Sequence, residues 1–236
     1  MPEADAISFE AVGLDRGGRR IFDGLDLRLS ERRIGLVGDN GSGKSTLLRL
    51  INGLLLPDAG RVVVGGRETA AHRRTLPAEV GFVFQNPDHQ ILFPTVGEEV
   101  GFGLAESGRD RRAVATEVAA LLAAHGCAGW EERAVHELSE GQKQLVCILA
   151  VVAPAPRFLL LDEPFSSLDL PTRWSLAARI AALPQRIVMA SHDLDLFDGF
   201  ERVVWLEQGR VRSDGAPGDV LAAYRRHARM RAAQHR

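Results

Sequence analysis

The segment Gly38-Asp39-Asn40-Gly41-Ser42-Gly43-Lys44-Ser45 decides the fold, because it has the spacing G-x-x-x-x-G-K-[ST] between a predicted strand and a predicted helix. The apolar run Arg33 to Val37 precedes it, and leucines at helical spacing follow from Ser45 to Leu54. Glycines let the backbone curl, so that successive N–H groups and the positive end of the helix converge on an anion. The pattern predicts a phosphate-binding loop in which Lys44 reaches the terminal phosphates and the Ser45 hydroxyl binds magnesium.

A second segment, Phe158-Leu159-Leu160-Leu161-Asp162-Glu163, is an apolar strand that ends in two carboxylates. The acids belong at the exposed end of the strand, where loops meet ligand. We expect Asp162 to hold magnesium through water and Glu163 to orient and polarise an attacking water. A strand that simply ends in solvated carboxylates would look the same. Downstream of a phosphate loop, however, the pair indicates phosphoryl transfer to water.

The rest of the chain predicts an α/β protein. Residues Ile7 to Val12 and Leu25 to Leu29 alternate apolar and polar residues, which indicates antiparallel strands at the start. From about Thr95 to Ala153 the pattern is alanine- and leucine-rich and helical, and after Arg157 short apolar strands alternate with helices. The arginine-rich tail after Tyr224 is typical of a solvated helix, with electrostatic docking as the alternative.

Composition excludes several classes of partner and compartment. The 236 residues carry a formal net charge of −2, so no global basic field would hold nucleic acid. Two cysteines, Cys127 and Cys147, suit buried reduced thiols and a cytosolic compartment. The acidic N-terminus does not resemble a secretion signal, and no apolar run approaches the roughly 20 residues that cross a bilayer. We therefore expect any membrane association to go through another chain.

A third segment, Leu138-Ser139-Glu140-Gly141-Gln142, resembles the signature pentapeptide of the ABC ATPase family, which is usually Leu-Ser-Gly-Gly-Gln. Other phosphate-loop enzymes share the first two motifs and lack this one. In the family it contacts the γ-phosphate held by the opposite subunit. The resemblance therefore implies a head-to-tail dimer with two ATP molecules at the interface. A simple capped helix is the alternative reading of the pentapeptide alone.

Further matches extend the resemblance over nearly the whole chain. Gln85 matches the family's magnesium-sensing glutamine, and His192 matches the switch histidine that hydrogen-bonds the γ-phosphate. Ser167 and Asp169, within Ser166-Ser167-Leu168-Asp169, resemble the loop that carries dimer contacts. The resemblance assigns Glu163, His192 and Gln85 to catalysis and Ser45, Gln85 and Asp162 to magnesium. The residues expected to bind ATP are Gly38, Asp39, Asn40, Gly41, Ser42, Gly43, Lys44, Ser45, Thr46 and Arg16.

Three positions depart from the family pattern, and at one of them Leu145 replaces a residue that is commonly basic. The family usually stacks adenine on an aromatic residue about 25 positions before the phosphate loop, whereas this chain has Arg16 in that region. A guanidinium plane can stack on a base, so Arg16 is the predicted substitute. Glu140 stands where glycine is usual, and a carboxylate aimed at a phosphate would be repelled. We expect the Glu140 side chain to point away from the nucleotide.

The resemblance implies a P-loop NTPase core of the RecA-like kind, with an antiparallel β subdomain and an inserted α-helical subdomain. It describes one ABC ATPase domain over 1–236, in which 1–85 and 154–236 form the core and β subdomain and 86–153 form the helical subdomain. The run from Phe84 to Gly103 is similar to the ATPases of energy-coupling-factor importers, which take up vitamins or transition metals. Biotin and cobalt or nickel are the expected cargoes.

Such an importer places the ATPase at the cytoplasmic face of the membrane as a peripheral subunit. Its expected partners are a second ATPase copy or a paralogue, a transmembrane scaffold protein and a substrate-binding membrane protein. A soluble ABC ATPase of translation or DNA repair is the alternative. Those proteins usually join two cassettes in one chain or carry a long coiled-coil insertion, and neither is visible in this sequence.

Overall fold

The computed structural model describes residues 5–234. In chain order, its strands and helices have the following bounds: β1 Ile7–Arg16, β2 Arg19–Leu29, β3 Arg33–Val37, α1 Lys44–Ile51, β4 Ala59–Val64, β5 Arg67–Glu68, α2 Thr69–His72, β6 Val80–Val83, α3 Val96–Glu106, α4 Arg111–Ala124, α5 Glu140–Val152, β7 Phe158–Asp162, α6 Leu170–Ala181, β8 Arg186–Ala190, β9 Arg202–Glu207, β10 Arg210–Gly215 and α7 Pro217–Gln234.

The chain forms two compact units. The first runs through Pro77 and resumes at Arg186, and the second is Ala78–Gln185. The second unit is larger than the predicted helical subdomain 86–153, because it also includes β6, β7 and α6. The predicted boundaries within one ABC ATPase domain stay a prediction.

The first unit contains a four-stranded antiparallel sheet in the order β2-β1-β4-β5. The hairpin between β1 and β2 turns at Gly17-Gly18, and its register shifts at three points, which bends both strands. Apolar residues on the inward face are fully buried, among them Ile7, Val12 and Phe22. The antiparallel β subdomain predicted from the alternating pattern is confirmed.

The first unit also contains the strands that lead to the phosphate loop. Strand β3 pairs in parallel with β8 on one side and β9 on the other, and β10 adds an antiparallel edge to β9. Strands β3, β8 and β9 are buried on both faces, as parallel strands usually are, and α1 buries four apolar residues. Because β3 runs directly into the loop before α1, this core holds the carboxyl end of β3 in place.

The second unit contains the parallel pair β6 and β7 with helices α3 to α6. Asp110 caps α4 and Asp169 caps α6, each through a side-chain oxygen that accepts backbone N–H bonds. Apolar residues of α3 and α5 are buried, including Val100, Leu104 and Val146. The predicted helical insertion and the α/β class are both confirmed.

The sequence predicted buried reduced thiols at both cysteines. Cys127 and Cys147 are buried free thiols, and burial raises the pKa of Cys147 to about 12. Between residues 5 and 234, no helix combines the length and apolar character that crossing a membrane requires.

Candidate functional site

The phosphate loop is built around the Lys44 ammonium group. Lys44 is 6% exposed, and its Nζ donates hydrogen bonds to the carbonyl oxygens of Gly38 (2.6 Å) and Asp39 (3.3 Å). Gly38, Gly41 and Gly43 have φ angles of 149°, 77° and 110°, which side chains disfavour. The loop therefore wraps its own cation and leads into α1 at Lys44, and the start of a helix attracts an anion.

The turn between β9 and β10 supports this loop from outside. Gly209 N–H donates to the Ser42 carbonyl at 3.0 Å, and Gly209 itself has a φ of 75°. The Phe22 ring lies so close to Gly43 that a Cβ there would be 3.0 Å from two ring carbons. The Gly209 backbone and the Phe22 ring, from two distant stretches of sequence, thus both contact the phosphate loop.

His192 follows β8 in the same unit and reaches the phosphate loop. Its Nε2 lies 2.9 Å from Asn40 Oδ1, and because an amide oxygen can only accept, this bond requires a hydrogen on Nε2. The structure therefore brings the predicted switch histidine together with a predicted ATP-binding residue.

The Asp39 carboxylate contacts the C-terminal helix α7. Tyr224 donates its hydroxyl hydrogen to Asp39 Oδ1 at 3.2 Å, and Arg231 forms an ion pair with Asp39 Oδ2. A cavity of about 520 Å³ lies beside these contacts. The sequence pattern predicted a helix in this region and gave no sign that it would contact the phosphate loop.

Arg16 occupies the last position of β1 and pairs across the hairpin with Arg19 at the start of β2. Arg19 is one of the residues that line the cavity next to the phosphate loop, and Arg16 is outside that lining. Stacking of adenine on Arg16 stays a prediction. Arg19 is a second basic residue beside the phosphate loop, and the family pattern did not indicate it.

Asp162 and Glu163 end β7 in the second unit and are buried, with 5% and 8% of their surfaces exposed. Glu163 has a φ of 49°, in the left-handed region that non-glycine residues rarely adopt. Such strain costs of order 1–3 kcal/mol and concentrates at functional sites. The strain argues against the alternative in which the strand simply ends in solvated carboxylates, because such a strand would have no reason to hold Glu163 in a strained conformation.

Gln85 lies just after β6, and its Nε2 donates to Ser166 Oγ at 3.3 Å. Further along the same loop, Asp169 accepts the Thr172 N–H at 2.9 Å as the cap of α6. That bond lowers the pKa of Asp169, because it stabilises the ionised form. Ser167 is exposed on this loop. The predicted glutamine and the predicted dimer loop therefore lie together in the second unit.

The signature segment begins α5. Ser139 Oγ accepts the Gln142 N–H at 3.3 Å, and Gln142 Oε1 accepts the Ser139 N–H at 3.0 Å, a reciprocal capping box. Leu138 is buried. Gly141 approaches α6 so closely that a Cβ would overlap the Thr172 methyl group. The capped-helix reading is thus correct locally, and contact of this segment with the nucleotide of an opposite subunit stays a prediction.

Glu140 pairs with a neighbour on the same helix. Lys143 Nζ lies 3.3 Å from Glu140 Oε1 and 2.9 Å from Asp88 Oδ1, and these two carboxylates raise the pKa of Lys143. Orientation of Glu140 away from nucleotide stays a prediction, and the ion pair with Lys143 favours it.

Two polar residues in the second unit, the half-buried Gln90 and the buried Glu99, were not singled out from the sequence. Gln90 accepts the Phe84 N–H at 3.1 Å and donates to the Cys147 carbonyl at 3.1 Å, so it joins the end of β6 to α5. Glu99 is 6% exposed and accepts the N–H groups of Leu92 and Phe93 at 2.8 and 3.0 Å. The sequence did contain a signal for Glu99, because it is a glutamate on the otherwise apolar face of α3.

The residues present suit a nucleotide and a magnesium ion. In the part of the chain that the structure describes, the buried Ser42 Oγ has no hydrogen-bond partner, and it lies within the phosphate loop. A phosphate oxygen or water would satisfy it. Hydroxyl and carboxylate oxygens, which Ser45 and Asp162 supply, are the ligands that magnesium prefers.

Comparison with known proteins agrees with the family resemblance that the motifs predicted. The ABC transporter family model matches residues 22–166. The chain is 51% identical over 219 residues to the biotin transport ATP-binding protein BioM of Rhodobacter capsulatus, covering 93% of this chain and 94% of BioM. It is 40% identical to the energy-coupling factor transporter ATP-binding protein EcfA1 of Symbiobacterium thermophilum, covering 86% of this chain and 74% of that protein.

Among solved structures, cbiO1 from Clostridium perfringens, described as part of the ABC transporter complex cbiONQ, superimposes with a TM-score of 0.81. The two chains are 28% identical, and the match covers 92% of this chain and 90% of that one. The predicted fold and the predicted resemblance to energy-coupling-factor ATPases are confirmed. The phosphate loop, the acidic strand end and these matches together establish that the chain belongs to the ABC transporter family of nucleotide-binding ATPases.

Proposed function

We propose that this chain is the ATP-hydrolysing subunit of an energy-coupling-factor importer that takes up biotin. The observation that carries the proposal is the 51% identity to a biotin transport ATP-binding protein over nearly the full length of both chains. Cobalt or nickel uptake is the second candidate from the sequence, and this relative favours the vitamin. The soluble alternative has no comparable support among these relatives.

Hydrolysis is proposed to depend on the residues to which the family resemblance assigns catalytic and nucleotide-binding roles. Lys44 and the backbone N–H groups of the phosphate loop bind the phosphates, and His192 contacts the γ-phosphate. Glu163 positions the attacking water and polarises it, which is the main chemical task in phosphoryl transfer to water. When bound, magnesium neutralises charge that develops on the phosphates, and its proposed ligands are Ser45, Gln85 and Asp162.

Transport is proposed to require a dimer. The family's dimer sandwiches two nucleotides, each between the phosphate loop of one subunit and the signature segment 138–142 of the other, with Ser167 and Asp169 in the contact loop. ATP then favours the closed dimer because its contacts with the opposite subunit exist only in that state. A homodimer would have a matching residue for every proposed role in both of its sites.

The membrane scaffold is proposed to dock on the second unit. A groove of about 510 Å³ runs along α3 and α4 there, lined by apolar and acidic side chains. Phe102 is 43% exposed at this groove, and Leu92 on the preceding loop is 72% exposed. Exposed apolar residues around a groove are typical of protein interfaces. Docking there would hold the chain at the cytoplasmic face of the membrane as a peripheral subunit.

The proposal is tested by affinity purification of the tagged chain from its native membranes, followed by uptake of labelled biotin in cells that lack the chain. Recovery of a scaffold membrane protein and a small substrate-binding membrane protein is expected. The wild-type chain should restore biotin uptake and Glu163→Gln should not. Recovery of ribosomes or DNA-repair factors would overturn the transport proposal, and restored cobalt or nickel uptake without biotin uptake would overturn the cargo.

The dimer is tested separately with Glu163→Gln, which should hold ATP without hydrolysing it. A stable dimer on gel filtration in the presence of ATP, and a smaller species without ATP, is expected. A monomer that demonstrably contains bound ATP would refute the nucleotide sandwich.

A further inference from the structure

The phosphate loop is expected to bind an anionic polyphosphate, yet it contains an acidic residue, Asp39. Its backbone carbonyl accepts from Lys44 Nζ at 3.3 Å and from Ser42 N–H at 3.1 Å, so Asp39 belongs to the loop that wraps the ammonium group. A carboxylate in this loop repels an anion, so it would lower the affinity of the site unless another charge compensated it.

The compensating charge comes from the far end of the chain. Arg231 forms an ion pair with Asp39 Oδ2, and the Tyr224 hydroxyl donates to Asp39 Oδ1 at 3.2 Å. Both partners lie on α7, seven residues apart and therefore about two turns apart on one face of the helix. The two carboxylate oxygens are thus each bound by a different side chain of the same helix.

Helix α7 does not need this ion pair in order to dock. Val220 and Leu221 are buried at its start, and the Tyr224 and His227 rings contact Trp205 of β9 at centroid distances of 5.4 and 5.0 Å. The Arg231 and Asp39 side chains are 50% and 46% exposed, and an exposed ion pair contributes little to stability. The placement of Arg231 therefore calls for a role other than holding the helix.

We propose that Arg231 is a positioning residue of the nucleotide site, which neutralises Asp39 and holds its carboxylate on the side of the phosphate loop that faces α7. In this role Arg231 acts through Asp39 and increases the affinity of the loop for the phosphates of ATP. The inference rests on the proposed nucleotide site and adds the C-terminal helix to it.

The test compares nucleotide binding by the full-length chain and its variants. Binding of adenylyl imidodiphosphate, a non-hydrolysable ATP analogue, is measured by calorimetry at low and high salt. Arg231→Ala should weaken binding about fivefold at low salt and by less at high salt, because the repulsion left by Asp39 is screened. Arg231→Lys should retain most of the affinity, since it keeps the charge.

A matched control lies on the same helix. Arg225 pairs with Asp195 at 3.0 Å and is similarly exposed. Within the described residues, neither side chain forms a hydrogen bond or ion pair with the phosphate loop. Arg225→Ala removes the same charge from α7 and should leave binding near the wild-type value. Melting temperatures of both alanine variants without nucleotide show whether either loosens the helix.

The deciding measurement repeats Arg231→Ala in an Asp39→Asn background. If Arg231 acts by neutralising Asp39, its removal should have no further effect once the carboxylate is absent. Equal weakening in both backgrounds, or no weakening in the wild-type background, would overturn the inference. Failure of the wild-type chain to bind the analogue would instead contradict the proposed function itself, so the two failures are distinguishable.

Discussion

Replacement of Gly209 by alanine should disrupt the phosphate loop from a position outside every recognised motif. A Cβ at Gly209 would overlap the Ile21 carbonyl oxygen and lie 2.9 Å from its carbonyl carbon. Because these are backbone atoms of β2, the overlap can be relieved only by moving the strand or the turn. Movement of the turn would break the bond from Gly209 N–H to the Ser42 carbonyl.

The expected loss of folding stability in Gly209→Ala has three parts. An alanine at a φ of 75° costs about 1 kcal/mol, overlap with packed backbone costs roughly 2–3 kcal/mol, and loss of the Ser42 bond costs about 1 kcal/mol. The sum is about 4–5 kcal/mol. Gly66, in the turn between β4 and β5, is the matched control: its φ is 81°, and a Cβ there meets nothing within 4 Å. Gly66→Ala should therefore cost only about 1 kcal/mol.

Urea unfolding followed by circular dichroism gives both stability losses, and calorimetry gives the affinity for the ATP analogue. Gly209→Ala should unfold at a much lower urea concentration than Gly66→Ala and should bind the analogue about tenfold more weakly, since displacement of catalytic groups by small distances is costly. Equal stability losses in the two variants, or wild-type affinity in Gly209→Ala, would refute the reasoning.

Two further predictions concern polar groups in the second unit. Glu99→Ala should cost about 2–3 kcal/mol in urea unfolding, because it leaves the N–H groups of Leu92 and Phe93 without their acceptor, and Glu99→Gln should cost less; equal costs would mean that the hydrogen bonds contribute nothing. The Thr172 N–H lowers the pKa of Asp169, so the stability that this carboxylate adds is present above its unfolded pKa and is lost as the pH falls through its lower folded pKa. The stability difference between wild type and Asp169→Asn should thus shrink below about pH 4, and a difference that stays constant from pH 7 to pH 3 would contradict this.

The strained conformation of Glu163 connects fold and chemistry. Strand β7 is buried along its whole length, so the chain must turn sharply after Asp162 to place a second carboxylate. Left-handed backbone at a glutamate is retained only where the surroundings enforce it. This supports the assignment of Glu163 to water activation and explains why Glu163→Gln, which preserves shape, is the informative variant.

Much of the fold could be predicted because short-range patterns control it. Strand β3 has the bounds that its apolar run, Arg33 to Val37, predicted. Strand β10 was missed, since its residues alternate between exposed and half-exposed and carry no apolar signal. It exists because the backbone of β9 offers an open edge, which is a property of the neighbour and not of the β10 sequence.

The sequence by itself determined the chemistry of the loops. A phosphate loop, an acidic strand end and a capped signature helix are each specified within about eight consecutive residues, and their spacing fixes their local geometry. Only the tertiary structure decided which residues support those loops: Arg231 meets Asp39 across 192 positions, and Gln90 donates to the Cys147 carbonyl across 57. Such contacts depend on how whole elements pack, and packing is set by the burial of many apolar residues at once, which no short pattern encodes.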